Sequence, residues 1–233
     1  MAAENMPLDG VDGGRLAARI ARRIEAEVVA AGWPVGELLG SEVQLQERYG
    51  VGRSVLREAV RLLEAGGVAR RRPGPGGGLI VTAPEQEPVL HAASLFLDHR
   101  GVAPEHLYAA WAALEAAAVD VLARTIDDDG ITALRAALAH EQEHGLLETG
   151  AERSSIHVQI ARLSGNPALE LFLGVVLELS FAHGQRDVAA SDLQWLHERH
   201  VEIVEAIVAG DAALAQGRLR RYVDRLAAAG AIS

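Results

Sequence analysis

Cysteine is absent from the 233-residue chain. Its absence excludes a disulfide framework, a thiolate metal site and a cysteine nucleophile, and leads to the expectation of a reducing, cytoplasmic setting. Lysine is absent too, so all 22 basic residues are arginine. Aromatics are scarce, three each of Trp, Tyr and Phe. The core must therefore come from Ala, Leu and Val, a palette that favours helices. No long apolar run occurs: the most apolar stretch, residues 171–182, contains Glu178 and is too short to cross a bilayer. It reads as a buried helix, and no membrane partner is expected. Residues 1–14 lack a basic segment followed by an apolar one, so no signal peptide is expected. A His-Glu-x-x-His spacing and a nucleophile elbow are also missing, which leaves a metal-dependent hydrolase without its machinery. The expectation is a chain that is not an enzyme.

What is present is unevenly distributed. The net charge is −10. Residues 1–83 hold 11 arginines against 10 acids, and residues 84–233 hold 11 against 22. The acidity sits in the second part. Within residues 48–72 seven arginines (48, 53, 57, 61, 70, 71 and 72) face only Glu58 and Glu64. A basic patch of this kind is the electrostatic footprint of nucleic-acid binding.

Hydrophobic spacing divides the chain the same way. Leu16, Ile20, Ile24 and Val28 recur every fourth residue, predicting an amphipathic helix over 14–32. Ser41 and Gln44 form a capping-box pattern for a second helix, which Gly50 stops. A third helix is predicted from Arg53 to Ala65, with Leu56, Val60 and Leu63 as its apolar side. Two strand-like runs, VARRR and LIVTA, flank PGPGGG and read as a hairpin. Helix, helix–turn–helix and hairpin make a winged helix–turn–helix. After a linker at 80–88, helical periodicity is broken only by short turns at 100–105, 127–130, 148–152, 164–167, 183–187 and 209–212. The predicted fold is mainly α: a winged helix–turn–helix with a small β-hairpin over 1–83, then an all-α bundle of about seven helices over 84–233.

The third helix carries the chemistry. Arg53, Arg57 and Arg61 lie at four-residue steps and form one stripe. A recognition helix reads base edges with its N-terminal residues, here Arg53, Ser54, Val55 and Arg57. Arginine grips guanine with two hydrogen bonds, and Ser54 with the free N–H groups of the first turn suits phosphate. The competing reading is a solvated face whose arginines pair with Glu58 and Glu64. The glycines do not rescue a nucleotide site. Gly50-x-Gly52 has Val55 where a dinucleotide fingerprint needs glycine, and Gly74–Gly78 is followed by a strand rather than Gly-Lys-Ser/Thr.

Residues 39–81, LLGSEVQLQERYGVGRSVLREAVRLLEAGGVARRRPGPGGGLIV, resemble the DNA-binding domain of the GntR family of bacterial transcription regulators. Ser41-Glu42, Leu45, Gly50-Val51, Arg53, Leu56-Arg57-Glu58-Ala59 and the Arg70–Gly74 wing fit its pattern. Gly40 replaces a proline, and Val43 stands where the family usually has an arginine that touches DNA. The resemblance implies a homodimer on a palindromic double-stranded operator. DNA contacts would come from Ser41, Arg53, Ser54, Val55, Arg57 and Arg61, and from Arg71, Arg72 and Gly74 of the wing.

The helical part resembles the FCD domain of the FadR subfamily. The resemblance rests on Leu114-Glu115, residues 156–173 (IHVQIARLSGNPALELFL) and residues 200–216 (HVEIVEAIVAGDAALAQ). Many FCD domains hold a divalent metal with one Asp and three His. The corresponding positions are Arg153, His157, His200 and Tyr222, so only His157 and His200 keep ligand chemistry, and no metal or other cofactor is expected. An antiparallel pair of helices turning at Gly210 would bring His200 and Tyr222 to one height. Trp111 stands where the family often has an effector-gripping arginine. The resemblance thus implies a repressor whose small acidic or acyl effector binds among Trp111, Arg153, His157, His200 and Tyr222, with Phe172 adding apolar surface. Two alternatives remain open. Trp111 fills the core while Arg153 pairs with an acid such as Glu115, or the helical domain only dimerises and binds no effector. His197 reads as a surface residue.

Overall fold

The computed structural model describes residues 9–74, 76–144, 155–183 and 190–230. They form two compact units, 1–85 and 86–233.

The first unit opens with α1, Asp9–Ala30. Its buried stripe is Ala17, Ile20, Ala21, Ile24 and Val28, while Leu16 of the expected stripe is 37% exposed. Small alanines let α1 lie close against α3, Arg53–Ala65. Between them comes α2, Glu42–Tyr49, whose capping box is complete: Gln44 N donates to Ser41 Oγ at 3.3 Å and Ser41 N to Gln44 Oε1 at 2.8 Å. Gly50 takes φ 63°, the left-handed conformation that stops α2. Leu56, Ala59, Val60 and Leu63 are buried on α3, and Leu45 of α2 joins the same core.

Strands β2, Ala69–Arg72, and β3, Gly78–Val81, form the hairpin, with Arg71 opposite Leu79 and Arg72 opposite Gly78. A Cβ on Gly77 would lie 2.2 Å from the Arg72 carbonyl oxygen, so this turn closes only on glycine. One element departs from the sequence expectation. Residues 38–40, between the first two predicted helices, form β1, Leu38–Gly40, which pairs antiparallel with β3 and makes a three-stranded sheet ordered β1-β3-β2. The expected linker also shortens, since β3 runs to Val81 and the next helix begins at Gln86.

The second unit contains seven helices among the described residues: α4 Gln86–His99, α5 Pro104–Thr125, α6 Asp128–His144, α7 Ile156–Leu163, α8 Pro167–His183, α9 Ala190–Val208 and α10 Ala212–Gly230. The expected turn at 127–130 is instead the start of α6. The expected turn at 148–152 and most of that at 183–187 lie outside the described residues. Helix α5 is central, packing on α7, α8, α9 and α10. It is long and apolar enough to cross a membrane by length and composition. Its face of Leu107, Trp111, Glu115, Ala118, Val119 and Leu122 is, however, spent inside the bundle. A glutamate in that stripe is an anomaly that needs partners.

Candidate nucleic-acid interface and buried polar centre

The turn Gly50-Val51-Gly52 aims the start of α3 outward. Arg53, Ser54 and Arg57 are exposed and Val55 is half-buried, opposite the Leu56–Val60–Leu63 side that meets the core. Five of the seven arginines are already engaged, Arg48 with Glu27 of α1 at 2.8 Å. Arg53 Nε pairs with Glu42 at 2.9 Å, Arg61 Nη1 with Glu58 at 3.1 Å and Arg71 Nε with Glu64 at 3.4 Å, while Arg72 Nη2 donates to the Gly76 carbonyl at 3.0 Å. The pairs with Glu58 and Glu64 are those of the solvated-face reading. Exposed pairs are worth ~0–1 kcal/mol, so a phosphate or base edge can displace the acids at small cost. Arg57 and Arg70 have no partner among the described residues. Ser41 stands beside this surface with its hydroxyl oxygen accepting from Gln44. Gly74, at φ 95°, is exposed at the wing tip. Val43, in the place of the family arginine, is 63% exposed.

The second unit buries a polar network where α5, α6, α7, α9 and α10 meet. Glu115 is fully buried, and its carboxylate accepts from Trp111 Nε1 and, at 2.8 Å, from His157 Nδ1. Since a carboxylate only accepts, Nδ1 of His157 carries the hydrogen. Its Nε2 is then the acceptor for the Tyr222 hydroxyl at 3.3 Å. A second carboxylate, Glu141 of α6, accepts from His200 Nδ1 at 2.8 Å and from His197 Nδ1 at 2.8 Å. The His157 and His200 rings meet edge to face at 4.8 Å, and Tyr222 lies 5.0 Å from His200. His200 Nε2 is buried without a partner among the described residues.

Burial holds the His200 imidazole below its ordinary pKa, against the opposing pull of Glu141. Burial also pushes Glu141 upward, but hydrogen bonds from His200 and His197 outweigh it and hold the carboxyl below the usual range. The Tyr222 phenol is pushed well above 10 by burial and then by the charges of Glu115 and Glu141.

Trp111, His157, His200 and Tyr222 are thus brought together, whereas Arg153 lies outside the described residues. Phe172 is 57% exposed and does not belong to the cluster; Phe181 touches Trp111 instead, at 6.0 Å. His197 is not a free surface residue but a partner of Glu141. Sequence reasoning missed Glu141 altogether. The available signal was His197-x-x-His200 on one helical face, a pair able to share one acceptor.

A divalent metal does not fit these residues. His157 has both ring nitrogens engaged, Tyr222 stays a protonated phenol, and a single open nitrogen on His200 falls short of the three or four ligands a metal requires. Among the described residues no group of three or more His, Cys, Asp or Glu is placed to hold one.

A profile of the FCD domain matches residues 106–225, and one of "bacterial regulatory proteins, gntR family" matches residues 16–78. No curated protein matches the chain. Among solved structures, a GntR protein from Streptococcus agalactiae shares the fold at TM-score 0.62 and 21% identity, over 90% of this chain and 98% of that one. A GntR regulator from Rhodococcus sp. RHA1 matches at TM-score 0.47 and 21% identity, over 93% and 98%. McbR/YncC of E. coli matches at 0.46 and 15%, over 92% and 96%.

Proposed function

Because the chain belongs to the GntR family of bacterial transcription regulators, in its FadR-like subfamily with an FCD domain, we propose that residues 1–83 bind a palindromic operator and residues 84–233 sense an effector and dimerise. The protein is a regulator and not an enzyme. It acts as a cytoplasmic repressor that an effector releases from DNA.

The observation that carries the DNA reading is Arg57. It projects from the exposed side of α3 with no acid among the described residues to neutralise it, one helical turn beyond Arg53 and beside a wing bearing Arg70–Arg72. Arg53 and Arg57 reach base edges; Ser41, Ser54, Arg61, Arg71 and Arg72 hold backbone, Val55 makes apolar contact, and Gly74 lets the wing tip approach the minor groove. The effector binds at the buried centre of Trp111, His157, His200 and Tyr222. His200 Nε2 offers an acceptor to a hydroxyl or N–H group on the ligand. An acidic or acyl effector would meet the carboxylates of Glu115 and Glu141, so its anionic end needs Arg153 as counter-charge.

The test begins with an operator selected from random duplexes. Arg57→Ala is expected to lose ~1–3 kcal/mol of sequence-specific affinity with an unchanged circular dichroism spectrum. Unchanged affinity would remove α3 from the interface. Thermal-shift screening of organic acids and acyl-CoA compounds tests the effector. A hit abolished in His200→Ala supports the buried centre, and no hit at all returns the helical unit to dimerisation alone.

A further inference from the structure

Between α2, α3 and the hairpin lies a cavity of about 500 Å³, within the range of roughly 300–1,000 Å³ typical of small-molecule sites. Its floor is Leu45, Leu56, Val60 and Leu79; its rim carries Arg57, Arg71, Arg72 and Glu42. We propose that this cavity is a second ligand site, which takes a small amphipathic carboxylate and thereby blocks the DNA face directly.

Charge and shape point to the same occupant. Glu42 is already neutralised by Arg53 at 2.9 Å, so the rim acts as a cationic mouth. Arg57 has no counter-ion among the described residues, and Arg71 is held only by an exposed pair with Glu64. A carboxylate bridging Arg57 and Arg71 would gain two charge-assisted hydrogen bonds. The apolar tail would then descend onto the leucines and Val60. Duplex DNA can satisfy the rim with phosphates, but its sugar–phosphate backbone has no apolar arm to fill such a floor. The anionic head and the apolar hole together therefore describe an amphiphile better than they describe DNA.

The ligand and the duplex would compete for Arg57 and the wing. Relief of DNA binding through this site needs no signal from the helical unit, which separates it from the effector site proposed above. Only the competition arm of the test rests on the DNA reading.

The test uses the full chain, with Leu and Val methyl groups labelled for NMR, and octanoate as the probe. Methyl signals of Leu45, Val60 and Leu79 are expected to shift saturably, and 1-octanol to shift them much less. Arg57→Ala, an exposed substitution, should weaken octanoate by about tenfold, and Val60→Phe should fill the hole and abolish binding. In fluorescence anisotropy at low salt, octanoate should raise the apparent Kd of a labelled duplex. Three outcomes overturn the proposal. They are shifts confined to methyls of residues 86–233, no shift up to about 10 mM, or equal shifts from octanol and octanoate.

Discussion

Glu115 is fully buried and serves two donors, so its chemistry admits little substitution. Its carboxylate serves both Trp111 Nε1 and His157 Nδ1. In Glu115→Gln the amide has one acceptor oxygen, and one of the two donors is left facing an NH₂ group. A buried polar group without a partner costs about 1–3 kcal/mol, so urea unfolding should show a loss of that size. The neighbouring His200 gives a pH dependence whose sign follows from its depressed pKa. The folded form binds its proton later than the unfolded chain, so stability is full above about 6.5 and falls as pH drops below it. Glu141, also depressed, adds a further loss as pH falls below about 4.5. The two act in the same direction, with Glu115, His157, His197 and Tyr222 as the surrounding titratable groups. Denaturant midpoints between pH 7.5 and 5 should therefore decline, and the decline above pH 5 should shrink in His200→Gln. A flat profile in the wild type would contradict the buried neutral imidazole.

At the scale of elements, the recognition helix was legible because three local signals agree. Its apolar residues keep a helical period, Gly50 and Gly52 set the turn before it, and Gly66 ends it. Gly50→Ala tests how much of that is local. With φ at 63° and nothing within 4 Å of an added Cβ, the cost is backbone strain alone, about 1–2 kcal/mol. Chemical denaturation should read that loss while leaving the order of DNA-site preferences intact. Strand β1 was not legible, since a three-residue run of two leucines and a glycine has no period of its own. It exists because β3 offers an edge, with Leu38 opposite Ile80. Glu141, and the buried role of Glu115, were hidden for a related reason. A single Glu in a helical sequence reads as a solvated position, and only the fold shows that Trp111, His157, His197 and His200 converge on it. His200 and Tyr222 could be paired in advance because a single turn at Gly210 fixes the register of α9 against α10.

For the whole molecule the question is what covers the apolar surface of the helical unit. Val89, Leu95 and Phe96 of α4 are 49%, 57% and 62% exposed, and Phe172 of the adjoining α8 is 57% exposed. Four large apolar side chains exposed on two packed helices make this surface a candidate interface. On the proposed reading a second copy is the fitting partner, because a palindromic operator would take one recognition helix and one wing per half-site. Burying a phenylalanine against the partner is worth roughly 1.5–3 kcal/mol. A charge in its place adds a desolvation penalty on both sides of a twofold interface. Phe96→Glu combined with Phe172→Glu is thus expected to give a folded monomer in sedimentation equilibrium, with normal helicity by circular dichroism. On the selected operator the monomer should retain half-site binding but lose the affinity that comes from linking two sites. If the double variant stays dimeric, the contact lies on another face, and Val89, Leu95, Phe96 and Phe172 need a different partner.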